Sequence, residues 1–223
     1  MCALFALQIT AASKQGGGAV AVYGMNATFT VVRVIFDHCS STYGHGGAVL
    51  LAGGASSSWA DVMVLHAFTF YGHGGGVAIL NGSSLVLQGD TIFVNCTSPR
   101  GDGGGIYLRN SSIASGVAGS GTSKRIAFQG CTCRGLGGGL AVLAGSTASL
   151  LDGATFSSPS SWGNIPQARA GGGVAIAGGS FFLAHDFDCN GLSALNHSAC
   201  LSVTDQGSSS SVSISFSARL IIQ

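Results

Sequence analysis

One hexapeptide recurs six times along the chain, with copies starting at Gly17, Gly46, Gly74, Gly103, Gly137 and Gly171. Each copy has two glycines, a Gly or Ala, a branched apolar residue, a variable residue and a second large apolar residue, as in Gly171-Gly-Gly-Val-Ala-Ile176. The steps between copies are 29, 28, 29, 34 and 34 residues. Self-similarity at such a period means a repeat architecture, in which a single unit cannot bury its own apolar face and neighbouring units must stack. The large apolar residues fall two apart: Val20 and Val22, Val49 and Leu51, Val77 and Ile79, Ile106 and Leu108, Leu140 and Val142, Val174 and Ile176. Two is the strand period, and β-branched residues suit a pleated, half-buried surface.

A second element precedes each glycine run. Phe36-Asp-His-Cys39, Phe93-Val-Asn-Cys96 and Phe128-Gln-Gly-Cys131 are the clear copies. Phe156 and Phe187 read as degenerate ones, and Phe68 or Phe70 fills the slot in the short second repeat. A third apolar stretch lies between the two elements, at 27–32, 84–87 and 147–151. Three short strands per repeat, separated by Gly, Asn and Ser, predict one rung of a parallel β-solenoid. Stacking rungs about 4.8 Å apart places equivalent residues in columns along the axis. A corner that turns sharply in every rung needs positive φ or close backbone approach, which glycine supplies.

Phe-x-x-Asn or Cys followed by Gly-Gly-Ala-Ile resembles the double motif of the polymorphic outer-membrane-protein repeat, most closely over residues 93–108. The resemblance covers roughly residues 15–200. It implies a right-handed parallel β-helix of the pectin-lyase-like kind. The expected chain is therefore all-β, with about six to seven rungs of three strands. In chlamydial members such repeats form adhesin and autotransporter passengers, and related glycine-rich arrays occur in large surface proteins of algae and other protists. This chain departs from the bacterial pattern by using Cys where Asn is usual.

With 223 residues, one elongated domain is expected over 1–223, with 1–15 a partial first rung and 199–223 a partial last rung. The missing polar caps read as those of a fragment of a longer protein. Charged residues are 8% of the chain, the formal net charge is +1 and no basic run occurs, so nucleic acid is not an expected partner. No apolar run approaches the 18 or so residues of a membrane helix. All eight acids are Asp and none is Glu, which fits a nearly helix-free chain because turns favour Asp.

Five Asn-x-Ser/Thr sequons stand at Asn26, Asn81, Asn95, Asn110 and Asn196, more than chance gives among seven asparagines. They point to a secretory glycoprotein; the competing reading is that Asn and Ser both crowd into turns. The cysteines number seven, so at least one is unpaired. Cys96 and Cys131 occupy the same slot in consecutive rungs, within disulfide range, and Cys189 with Cys200 is a second candidate pair. The alternative is a column of small buried apolar side chains. The two longest repeats carry insertions at 122–125 and 157–169. Trp162 there is either a sugar-stacking aromatic or a loop anchor.

Relatives of the pectin-lyase-like fold that cleave polysaccharides use clustered Asp or a Gly-His-Gly with Asp partners. Gly44-His-Gly46 and Gly72-His-Gly74 are similar to the latter, but its Asn-Thr-Asp and Asp-Asp companions are missing. The only close Asp pair is Asp186 and Asp188, and no catalytic residues and no cofactor are assigned. The residues just before the glycine runs place His45, His73 and Asp102 in consecutive rungs at one corner. Two imidazoles and a carboxylate can bind a transition metal; three solvated turn residues are the competing reading. The residues between the two core positions, Ala21, Leu50, Ala78, Tyr107, Ala141 and Ala175, are expected to face outward as a flat, weakly apolar stripe, which either simply avoids bulk or is covered by a partner or another part of a parent chain. The expected function is a non-catalytic structural or adhesive segment of an extracellular or cell-surface protein, with glycans or other surface proteins as partners. A carbohydrate-binding or carbohydrate-cleaving β-helix is the alternative.

Overall fold

The computed structural model describes residues 7–115, 125–157, 171–190, 200–204 and 209–215. These form three parallel sheets of seven, five and twelve strands, wound as a β-solenoid of about six turns. No helix among the described residues is long and apolar enough to cross a membrane.

The six copies of the hexapeptide supply six strands of the seven-stranded sheet, and 201–204 adds the seventh. Val20–Tyr23, Val49–Ala52, Val77–Leu80, Ile106–Arg109, Leu140–Leu143, Val174–Ala177 and Leu201–Thr204 stack in that order. Val20, Val49, Val77, Ile106, Leu140, Val174 and Leu201 form one column, and Val22, Leu51, Ile79, Leu108, Val142, Ile176 and Val203 another. The expected alignment of like on like is therefore realised in the seven-stranded sheet.

The twelve-stranded sheet holds the other two long stretches of each turn. In two early turns they run as continuous ten-residue strands, Thr28–Asp37 and Ser56–Leu65. One turn later they separate into Ser84–Leu87 and Thr91–Val94, because Gln88-Gly89-Asp90 spans with three residues what Ala60-Asp61 spans with two. A short fourth segment, typified by Thr97–Ser98, builds the five-stranded sheet. Each turn thus has four extended stretches where the sequence suggests three.

The Phe column also differs in detail. It runs Ile9, Phe36, Val64, Phe93, Phe128, Phe156 and Cys189. Val64 takes the slot expected for Phe68 or Phe70, of which Phe68 opens the short fourth segment Phe68–Thr69 and Phe70 follows it, and Cys189 rather than Phe187 takes the last one. Phe93, Phe128 and Phe156 stack almost parallel, with centroids 5.0 and 4.6 Å apart. Offset aromatic pairs of this kind add to the energy of simple burial. Trp59 is wholly buried beside Phe36, and its indole N–H donates to Ser57 Oγ at 2.8 Å.

The glycines serve more than one purpose. Gly74 has φ +70°, and a Cβ there would lie 2.2 Å from the carbonyl oxygen of Val77. Gly139 gives way to a ring instead, since a Cβ would lie 2.6 Å from Cδ1 of Phe156. A serine column, Ser111, Ser146 and Ser180, ties successive turns: each of the first two donates its N–H to the next serine's Oγ, at 3.3 and 3.2 Å.

Candidate functional site

Three corners of the coil bring side chains with chemistry together, and in each the period sets the pairing. His45 and His73, His38 and His66, and Tyr43 and Tyr71 are each 28 residues apart, one turn of the coil.

The first corner is the one singled out by sequence. His45, His73 and Asp102 do stack, with the two rings 5.2 Å apart. Their Nδ1 atoms are occupied, however. His45 Nδ1 accepts the backbone N–H of His73 at 3.1 Å, and His73 Nδ1 accepts that of Asp102 at 2.9 Å. Asp102 continues the pattern, its Oδ1 accepting the N–H of Leu136 at 2.8 Å. Asp102 Oδ2 also lies 3.2 Å from His73 Nδ1, but the Nδ1 lone pair already faces the backbone N–H, so that approach is a contact between acceptors. Each side chain thus caps the next turn's backbone. Burial, then the charges of His73 and Arg109, push the His45 imidazole below its ordinary pKa, which keeps it neutral and able to accept.

This column also corrects the expected outward stripe. Leu50, Ala78, Tyr107, Ala141 and Ala175 are buried, and only Ala21 of the six is exposed. Leu50, Ala52, Ala78, Tyr107 and Ala141 form a second apolar cluster outside the coil's main core. The histidines fold back over it: His73 stacks on Tyr107 at 4.5 Å and His45 at 6.2 Å. Burial, followed by the charge of Asp102, raises the Tyr107 phenol.

The second corner escaped sequence reasoning. Asp37, His38 and His66 converge where the Phe strand ends. His38 Nδ1 is 2.7 Å and His66 Nδ1 3.2 Å from Asp37 Oδ1. The rings stack at 4.7 Å and stay open to water, with side chains 65% and 45% exposed. Gln8 Nε2 donates to the other carboxylate oxygen, Oδ2, at 3.0 Å. Burial pushes the Asp37 carboxyl up, but the His66 hydrogen bond and the His38 charge outweigh it and hold it below the usual carboxylate range. His38, His66 and Asn95 share one left-handed corner, with φ of 52, 51 and 52°. Among the described residues this is the group of three metal-ligating side chains whose ligand atoms come together, all within 4.8 Å of one another. The signal lay in the sequence as a second His–His repeat at the period, two residues after the Phe slot in one turn.

The third corner is an aromatic platform. Tyr43 and Tyr71 are 68% and 48% exposed and stack face to face at 5.4 Å with an interplanar angle of 3°. The Arg100 guanidinium sits 4.6 Å from the centroids of both Phe70 and Tyr71.

Of the sequon asparagines, Asn26, Asn81, Asn95 and Asn110 are exposed and all have positive φ, of 66, 54, 52 and 50°. Asn tolerates the left-handed region better than most residues, so local geometry alone suits Asn there. Asn196 and Trp162 lie outside the described residues, as do 122–124 and 158–169 of the insertions. Cys189 and Cys200 are joined by a disulfide, with Cα atoms 5.8 Å apart. The other expected pair is not joined: Cys96 and Cys131 are buried free thiols, as are Cys39 and Cys133. In-register stacking sets their Cα–Cβ bonds side by side, and each thiol donates to a carbonyl of the preceding turn, Cys96 to Val64 at 3.4 Å and Cys131 to Phe93 at 3.6 Å. Burial pushes the Cys96 thiol well up, helped by neighbouring Cys131, and pushes Cys133 to about 12, helped by the charge of Asp102. Comparison with family models, curated protein sequences and solved structures finds no match to this chain.

Proposed function

We propose that this chain is a non-catalytic structural or adhesive segment of an extracellular or cell-surface protein, its turns wound right-handed in the manner of pectin-lyase-like and polymorphic outer-membrane-protein repeats. The observation that carries this reading is the placement of Asn26, Asn81, Asn95 and Asn110, all exposed on the outside of a continuous coil. A glycan attached to any of them would point into solvent and leave the stacked core untouched. The Cys189–Cys200 disulfide supports the same compartment, because such bonds persist in oxidising surroundings. The buried outward cluster leaves the corners as the faces that partners would meet.

The test is expression of the chain behind a secretory signal in a eukaryotic host, followed by treatment with an N-glycosidase. A mobility shift that shrinks as the four asparagines are replaced by Gln is expected. Secreted, folded protein with no shift would remove the main support for a surface glycoprotein.

A second reading, carbohydrate binding, is favoured by the Tyr43–Tyr71 platform. Sugar rings stack on exposed aromatic faces, and these two rings are parallel, with Arg100 against Tyr71. A glycan array on the wild-type chain and on Tyr43→Ala with Tyr71→Ala tests it, alongside an assay for uronate release. Binding lost in the double variant without any release supports a lectin-like role. Release of uronate would contradict the non-catalytic reading.

A further inference from the structure

We propose that Asp37, His38 and His66 form a binding site for one divalent transition-metal ion of the zinc, copper or nickel class, clamping two successive turns on the outside of the coil. The two histidines come from neighbouring turns and the carboxylate from the lower one, so the ion would cross-link the stack.

Three features carry the proposal. The first is convergence. Both Nδ1 atoms face one oxygen, Asp37 Oδ1, at 2.7 and 3.2 Å, and all ligand atoms lie within 4.8 Å of one another. With metal–ligand bonds of about 2.0–2.2 Å, neighbouring ligands in a tetrahedral site stand roughly 3.4 Å apart. The distances found need only small rotations of two exposed rings to reach that edge. The second is preorganisation. The left-handed φ of His38 and His66, 52 and 51°, repeats from turn to turn and stacks the rings in the same sense at 4.7 Å. Gln8 holds Oδ2 at 3.0 Å and so keeps Oδ1 turned toward the rings, as outer hydrogen bonds do around metal ligands. The third is the donor set. Two imidazoles and one carboxylate suit borderline transition metals, whereas calcium and magnesium favour oxygen throughout.

The chemistry balances simply. In the metal-free chain an ionised Asp37 can only accept, so each Nδ1 must carry the proton it donates. On binding, each ring gives up its Nδ1 proton to water and carries one at Nε2, freeing Nδ1 to ligate. Cys39, the next residue along, takes no part: its Sγ is buried and donates inward to the Ile9 carbonyl at 3.3 Å. The other histidine pair differs: its Nδ1 atoms accept backbone N–H groups, and it is not part of a group of three converging ligand atoms among the described residues.

The experiment uses the whole chain stripped with a chelator and titrated calorimetrically with zinc chloride, with magnesium chloride as comparison. One zinc per chain, a raised melting temperature and no response to magnesium are expected. His38→Asn and His66→Asn keep the corner conformation, since Asn95 adopts it one turn on. Each should weaken zinc binding by about 100-fold, and Asp37→Asn comparably, whereas His185→Asn, at the end of the strand Phe181–His185, should change nothing. A direct reading without variants comes from traces of copper added to wild-type protein: the His38 and His66 ring signals should broaden first in proton spectra. No zinc uptake by the stripped chain at millimolar concentration, equal affinity in folded His38→Asn and His66→Asn, or prior broadening elsewhere would each overturn the proposal.

Discussion

Two pairs of histidines sit a few residues apart in sequence, each one turn from its mate and each near an aspartate, yet they end in opposite roles. His45 and His73 lean against a buried tyrosine and spend their Nδ1 atoms capping the next turn's backbone. His38 and His66 stand out in water and aim their Nδ1 atoms at a carboxylate. The backbone decides the difference. The outward pair itself occupies left-handed positions. In the inward pair the following glycine does so, which lets the histidine fold back over the sheet. Residue type and spacing are therefore insufficient to identify a ligand site in a coil; which corner the residue occupies matters as much.

The largest expected effect comes from removing the conformational freedom that separates the corners. Gly74→Ala would bring a Cβ within 2.2 Å of the Val77 carbonyl oxygen at φ +70°. It should cost at least about 3 kcal/mol in urea unfolding; a smaller loss would mean that this corner does not need glycine. Next comes His73→Ala, which strips the acceptor from the Asp102 N–H and uncovers Tyr107. A loss of about 1–3 kcal/mol is expected, and an unchanged midpoint would show the capping bond to be incidental.

The third effect is a pH dependence. Because His45 is held below its ordinary pKa by burial and then by His73 and Arg109, the unfolded chain takes up the proton first on acidification. Its contribution is complete above about pH 6.5 and declines as pH falls toward the folded-state value. His45→Gln should flatten that part of the stability profile; a profile identical to wild type would contradict the buried, neutral ring. The smallest effect belongs to the outward corner. His66→Asn should move stability by less than about 0.5 kcal/mol, since an exposed Asn already serves one turn on. A loss as large as that of His73→Ala would erase the contrast.

Much of this coil can be read from the chain. Val20, Val49, Val77 and Ile106 alternate at the strand period and recur at the repeat period, so both the sheet and the stacking follow from hydrophobic pattern alone. The Phe column was less legible because Val64 serves in the slot, while Phe68 lies on another strand and Phe70 just beyond its end. The outward stripe differs for another reason: alternation tells which way Ala78 and Ala141 point, not that they are buried there in a cluster with Leu50, Ala52 and Tyr107. Cys96 and Cys131 were placed correctly as stacked neighbours, but stacking alone does not aim two thiols at each other. The 28-residue spacing of His38 and His66 is as visible in the sequence as that of His45 and His73, but these two do not stand beside the glycine runs that mark the repeat.

The contrast between the two corners is tested most directly by the tautomers of four imidazoles, read from long-range proton–nitrogen correlation spectra near pH 8. His45 and His73 should show a bare Nδ1 and a proton on Nε2, and His38 and His66 a proton on Nδ1. A protonated Nδ1 on His45 or His73, or the same tautomer at all four, would contradict the claim that the corner conformation sets what each histidine does.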